Sequence, residues 1–257
     1  MVDLSKMDKR TLAKVFDYSV LPKNTVEAEI RKGCALTRQY QFAAFYSASA
    51  YWTPIIKEEL ADYPDIEIGT GIAFPWGAAP ALVKACETED AVRRGCTAVD
   101  VVMNIGALKD RRYDVVLDEL KAFVRAASHA VTKCILEVNF LTDEEIAAGC
   151  RLIAEAGVQY AKTSSGQFEG PSLEQFLVMR DTLQGTDVKL KVAGVKFPRP
   201  QNAYIFLMAG ADRIGTRDAP AIIDALDQLR KLGIVPQLAL EPVLARNQAP
   251  DTVFAQC

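Results

Sequence analysis

The sequence predicts an α/β fold, a (β/α)8 or TIM barrel, from its length, a regular alternation of short β-branched runs with longer helical segments, and charges at one parity within those runs. At 257 residues the chain has the usual size of an eight-fold βα barrel held as one unit. Half of the residues are hydrophobic and a quarter are charged, a balance that fills a core and leaves a hydrated surface. One domain over residues 1–257 is expected, with a loosely packed tail after about residue 236, where Asn247-Gln248-Ala249-Pro250 breaks the pattern.

Eight strands are predicted, at 14–20, 42–47, 67–73, 98–103, 134–138, 159–162, 188–192 and 213–215. Between them, sets such as Leu117, Leu120, Ala122, Val124 and Ala127, or Ile146, Ala147, Cys150, Ile153 and Ala154, recur at the spacing of helices laid on a barrel. Thr142-Asp143-Glu144-Glu145 reads as a capping box, and Gly157 closes the helix that it opens. Eight such units favour a closed barrel over an open, doubly wound sheet.

Composition removes several function classes. With 30 Lys plus Arg against 33 Asp plus Glu, a net charge of −3, no basic field exists to hold a polyphosphate backbone, so no nucleic-acid partner is expected. Residues 1–10 are charged and no stretch reaches the roughly 18 apolar residues of a membrane helix, which predicts a cytoplasmic protein without a membrane partner. The six cysteines (Cys34, Cys86, Cys96, Cys134, Cys150, Cys257) are scattered and read as reduced thiols. A single histidine, His129, sits in an apparent helix end, which removes any zinc site built on two or three histidines. Neither a metal nor a cofactor is expected.

Strand parity brings chemistry to the barrel axis, because alternate residues face the helices and the interior. Val188, Leu190 and Val192 take the outer face of strand seven, leaving Lys189 and Lys191 inward. In strand four Val99, Val101 and Met103 face out, so Asp100 and Asn104 face in. In strand five Lys133 and Glu137 oppose Cys134, Leu136 and Val138, and strand six ends on Lys162. Buried charges must be compensated or used. Parity by itself leaves Lys133 and Glu137 equally open as a structural ion pair, Lys189 as a pairing residue near the bottom, and Lys162 as an exposed loop lysine.

The segment Tyr160-Ala161-Lys162-Thr163-Ser164-Ser165-Gly166 resembles the Phe-Val-Lys-Thr-Ser-Thr-Gly motif of deoxyribose-phosphate aldolases. Asp17-Tyr18-Ser19-Val20-Leu21, the segment from Asp100 to Lys109, Lys133 to Glu137 with Leu141 to Glu145, and Ala209 to Thr216 resemble further segments of that family, in order and over most of the chain. The resemblance implies a class I, Schiff-base aldolase joining acetaldehyde reversibly to glyceraldehyde 3-phosphate. By it Lys162 is the nucleophile, with Lys191 the second lysine and Asp100 the acid working with it. Asp17, Asn104, Lys133, Glu137, Ser164 and Gly166 are implied to line the same pocket. An amine attacks only when unprotonated, and a neighbouring ammonium is one way to depress its pKa, the task expected of Lys191.

The phosphate end departs from the family pattern. Ser-Gly-Gly after strand seven becomes Ala193-Gly194-Val195, and Gly-Thr-Ser-Ser after strand eight becomes Gly215-Thr216-Arg217-Asp218. Tyr18 replaces a histidine, and no tyrosine follows Tyr204. Gly194 and Gly215 still permit close backbone approach, while Lys196, Arg199 and Arg217 add cations, so an anion is expected to be held by side chains. Asp218 is expected to cap the last helix and oppose a phosphate, or simply to be an ordinary N-cap. The expected partner is a small aldehyde or sugar phosphate, with a homo-oligomer left open. Competing readings are a Schiff-base aldolase for an unphosphorylated aldehyde, a non-catalytic sugar-phosphate-binding barrel, and a phosphosugar isomerase, which would want a carboxylate base rather than two lysines at the barrel mouth.

Overall fold

In the computed structural model, which describes residues 3, 4 and 7–235, eight parallel strands close on one another in chain order. They are β1 (Phe16–Val20), β2 (Ala44–Ser47), β3 (Glu67–Ile72), β4 (Ala98–Val102), β5 (Val131–Ile135), β6 (Tyr160–Lys162), β7 (Lys189–Ala193) and β8 (Arg213–Gly215). The helices that cover them include α1 (Lys9–Ala13), α2 (Glu27–Tyr40), α3 (Thr53–Glu59), α4 (Ala81–Arg94), α5 (Ile105–Lys109), α6 (Tyr113–Ala127), α7 (Asp143–Ala156), α8 (Leu173–Thr182), α9 (Arg199–Met208) and α10 (Ala219–Asp224). The expected loose tail lies outside the described residues.

All eight predicted strands are present, and β5 is displaced. The strand runs over Val131–Ile135, three residues before the expected span of 134–138, and it cannot reach 138 because Glu137 adopts a left-handed backbone (φ 52°) and Val138–Phe140 turns into a 3-10 helix. Leu136 and Val138 are fully buried all the same. The apolar run therefore marks burial under the helices, and the strand ends before burial does. Lys14 likewise ends α1 rather than opening β1.

The capping signature at α7 holds as read. Thr142 accepts from the Glu145 amide at 3.3 Å, Glu145 accepts from the Thr142 amide at 2.9 Å, and Gly157 (φ 78°) closes the helix. Two amide donors that the first turn would otherwise leave unpaired are thus satisfied.

Between strands and helices runs an apolar shell that includes Phe16, Phe45, Val99, Val101, Cys134, Val192 and Ile214, all buried. One ion pair interrupts it. Lys84 on α4 lies 2.6 Å from Glu119 on α6 and donates at 2.8 Å to the carbonyl of Val102, at the end of β4. Burial pushes the Lys84 amine down and the Glu119 carboxyl up, so the pair relies on close contact to stay charged. Among the described residues no helix is long and apolar enough to cross a membrane, and Cys34, Cys86, Cys96, Cys134 and Cys150 are free thiols.

Candidate active site

The barrel interior is commonly filled with layers of branched apolar side chains. Here the layer facing the C-terminal mouth is charged. Register sets Lys162 of β6 beside Lys191 of β7, Asp100 of β4 beside Lys133 of β5, and Lys191 beside Arg213 of β8. Asp100 Oδ2 is shared by Lys162 Nζ at 2.8 Å and Lys191 Nζ at 2.9 Å. Lys191 Nζ also lies 2.7 Å from Asp17 Oδ2. A second tier follows beneath, where Lys133 Nζ is 3.6 Å from Asp17 and 3.4 Å from Glu67, and Arg213 grips Glu67 through both of its terminal nitrogens at 2.6 and 2.7 Å.

Four cations thus meet three carboxylates, and the interior cluster carries one excess positive charge if every group is ionised. Burial lowers two of these amines, Lys133 and Lys162, and of the two only Lys162 lines the cavity. Burial lowers it most, Lys191 lowers it further, and Asp100 opposes both, leaving it at about 8. The expected effect of Lys191 is present, and it is secondary to desolvation. Burial also acts against charge on Lys191, but Asp100 and Asp17 more than offset it, so this amine is raised and stays an ammonium. For Asp100, burial pushes the carboxyl up while Lys162, Lys191 and Lys133 pull it far below the ordinary carboxylate range. The layout is therefore one amine able to lose its proton near neutrality, one ammonium and one carboxylate in mutual contact.

Above this floor opens a cavity of about 490 Å³. Asp17, Tyr46, Asp100, Lys162 and Lys191 form its base. Loops after β6, β7 and β8 supply Gly166, Gly194, Lys196, Arg199, Thr216 and Arg217 to its wall. Lys196 pairs with Glu169 at 2.7 Å, and Arg199 pairs with Asp218. Arg217 is exposed and makes no ion pair among the described residues, so it is the rim cation left available to a ligand.

The structure brings Lys162, Lys191, Asp100, Asp17, Gly166, Gly194, Lys196, Gly215 and Arg217 to the cavity and leaves four predicted residues outside its wall. Asn104 is an N-cap, its side chain accepting from the Ala107 amide at 3.1 Å, because β4 ends before it and α5 begins. Lys133 lies under the floor, held by Tyr46, Asp17 and Glu67. Glu137 is not the partner of Lys133. The backbone turn at Glu137 sends its carboxylate to the Ser165 amide at 2.9 Å, where it anchors the loop after β6. Ser164, in the same loop, is fully buried. Lys189 is exposed at the barrel bottom, 5.7 Å from the Tyr160 ring, and Lys162 is only 6% exposed, which removes the reading of a solvated loop lysine.

Parity did not single out Tyr46, Glu67 or Arg213. Tyr46 shares a face with Ala44 on β2, a signal available in hindsight. Glu67 and Arg213 open their strands, where an inward charge looks like an ordinary polar strand end.

No family model matches the sequence. A deoxyribose-phosphate aldolase of Halalkalibacterium halodurans is 37% identical over 216 residues, covering 84% of this chain and 96% of that protein. A deoxyribose-phosphate aldolase of Streptococcus suis is 38% identical over 214 residues, covering 83% and 96%. The chain belongs to the deoxyribose-phosphate aldolase family. Among solved structures, the aldolase QR15 superposes with a TM-score of 0.78 at 28% identity, covering 90% of this chain and 99% of that one. A tetrameric deoxyribose phosphate aldolase of Aeropyrum pernix gives 0.79 at 24% identity, covering 88% and 96%, a likeness of fold.

The departures of this deoxyribose-phosphate aldolase chain from the family pattern acquire local explanations. Asp218 stands at the N-cap of α10, yet its carboxylate makes no capping hydrogen bond and binds the Arg199 guanidinium instead. Opposite charge outcompetes the helix amides, and Asp218 thereby neutralises a rim cation instead of sealing the helix end. A Cβ on Gly215 would lie 3.0 Å from Lys191 Cε, so this glycine makes room for the lysine. Tyr18, in place of the family's histidine, faces outward and stacks on Phe42 at 5.4 Å. The Tyr204 hydroxyl is buried and donates to the Ile222 carbonyl at 2.9 Å.

Proposed function

We propose that this chain is a Schiff-base aldolase that cleaves 2-deoxy-D-ribose 5-phosphate reversibly to acetaldehyde and D-glyceraldehyde 3-phosphate. The observation that carries this reading is the buried Lys162 amine at the cavity base, held near a pKa of about 8 and in contact with a carboxylate that also binds an ammonium. A neutral amine adds to the open-chain aldehyde carbon C1, and loss of water leaves a protonated imine on Lys162. Removal of the C3 hydroxyl proton forms the carbonyl of glyceraldehyde 3-phosphate as the C2–C3 bond breaks, its electron pair flowing into the iminium as an enamine. A proton added at C2 and water added at C1 then release acetaldehyde and restore the amine.

Asp100 is assigned the base for the C3 hydroxyl, directly or through one water, because it is ionised and faces the cavity. Lys191 is assigned the acid that assists water loss and enamine protonation, being a retained ammonium 2.9 Å from Asp100. Arg217, with the backbone near Gly194 and Gly215, is assigned to the phosphate. That Arg217 makes no ion pair among the described residues supports a cation-based anion site over a glycine-and-serine cradle.

Borohydride with acetaldehyde tests the chemistry. A stable adduct on Lys162, absent in Lys162→Ala and unaffected by exhaustive EDTA, is the expected result; its absence from the parent protein overturns the reading. Cleavage of deoxyribose 5-phosphate beside unphosphorylated deoxyribose tests the substrate, and equal kcat/KM for the two would favour an unphosphorylated aldehyde.

A further inference from the structure

Tyr46 sits at the centre of the charged layer and has no part in the steps above. Its ring is buried and lies on the cavity base. The Lys191 ammonium stands over the ring face, 3.9 Å from its centroid, with Lys133 at 5.0 Å and Lys162 at the margin, 6.0 Å away. The quadrupole of an aromatic face attracts a cation within about 6 Å, most strongly when the pair is desolvated. The ring position is fixed from two further sides. The hydroxyl accepts from Lys133 Nζ at 2.6 Å, and on the neighbouring strand Gly69 leaves the space that the ring occupies, since a Cβ there would lie 2.3 Å from the ring carbon Cε1.

The charged groups of the cluster that surrounds this ring each come from a different strand. Asp17 of β1, Glu67 of β3 and Asp100 of β4 are the carboxylates; Lys133 of β5, Lys162 of β6, Lys191 of β7 and Arg213 of β8 are the cations. Two lysines in contact with one carboxylate oxygen are chemically alike, yet the proposed reaction needs one as a free amine and the other as an ammonium. We propose that Tyr46 is a positioning residue that separates these roles: its face holds Lys191 as the ammonium against Asp100 and Asp17, and its bulk keeps water from the Lys162 amine. The inference rests on Lys162 being the imine-forming lysine.

Two substitutions divide the ring from its hydroxyl. Tyr46→Phe keeps the face and nearly all of the volume and removes the hydroxyl, with its hydrogen bond from Lys133 and its interaction with Asp100. Tyr46→Ala removes the face and admits water beneath both amines. The readout is the rate of borohydride-trapped acetaldehyde adduct on Lys162 between pH 6 and 10, whose inflection is independent of the fraction of protein that is folded. In Tyr46→Ala, hydration restores the ammonium form of Lys162, so the inflection is expected to move up by about one pH unit, which slows adduct formation at pH 7 roughly tenfold. Tyr46→Phe is expected to inflect with the parent. A parent-like inflection in Tyr46→Ala overturns the proposal, and so does an upward shift in Tyr46→Phe equal to that in Tyr46→Ala, which would assign the effect to the hydroxyl. Absence of adduct in the parent protein would instead refute Lys162 as nucleophile.

Discussion

Replacing Lys191 by methionine removes one positive charge from the barrel and little volume, and its effect on Lys162 can be worked from the geometry. Both Nζ atoms lie within 2.9 Å of the same Asp100 oxygen, so they are within about 6 Å of each other, and two like charges at that distance repel by on the order of 2–3 kcal/mol at an effective dielectric of about 20. Asp100, losing one of its two direct ammonium partners, also holds the Lys162 proton more tightly, which acts in the same direction. Taking the charge effect as roughly one to two pKa units, Lys162 rises from about 8 toward the ordinary lysine range. The sign follows from the nucleophile being the unprotonated form: adduct formation climbs as pH rises through the Lys162 pKa, so a higher pKa moves the climb to higher pH. At pH 7.5 the neutral fraction falls by roughly 8- to 80-fold. Single-turnover trapping with acetaldehyde and borohydride from pH 6 to 10 reads this directly, with urea unfolding run beside it because Asp17 and Asp100 are left less compensated. An inflection at the parent pH would refute the argument that the Lys191 charge helps to set the Lys162 amine.

The Lys84–Glu119 pair gives a prediction away from the site: Lys84→Met leaves a buried carboxylate unpaired and should cost about 3–5 kcal/mol in urea unfolding, whereas Lys84→Met with Glu119→Leu should recover most of the loss. At the rim, Arg217→Ala should raise KM for deoxyribose 5-phosphate several-fold and flatten its salt dependence, while Asp218→Asn, by releasing Arg199, should lower KM; steady-state kinetics at two ionic strengths checks both. In Gly170→Ala the new Cβ would lie 1.7 Å from the Gly194 carbonyl oxygen, so the loops after β6 and β7 must separate. Loss of turnover with the Lys162 adduct retained is expected, and wild-type kcat/KM would show that the two loops need not touch.

What could be read along the chain was what neighbouring residues decide. Alternation at period two exposed Asp100 and Lys191 as inward charges, and the Thr142–Glu145 box marked the start of α7, because each depends on residues within a turn or a strand; alternation left Lys162 open, and only the family motif singled it out. The same reading overextended β5, since the burial of Leu136 and Val138 continues after the backbone has turned at Glu137. It also turned Asn104 toward the cavity and had the Asp218 carboxylate cap the last helix. Asn104 is claimed by the amide of Ala107, and Asp218 by an arginine nineteen positions away.

The sequence by itself therefore determined the barrel and the parity of Asp100 and Lys191, and through segments resembling the family it singled out the lysine proposed to form the imine. Only the tertiary structure decided how those charges pair. Asp17 meets Arg213, 196 positions along the chain, and Lys133 meets the Tyr46 hydroxyl 87 positions away. These contacts exist because closing eight strands fixes one register between β1 and β8, and register between distant strands has no local signature in the chain. The burial that brings Lys162 to about 8 has the same origin, since it requires the whole ring of strands to exclude water from one amine.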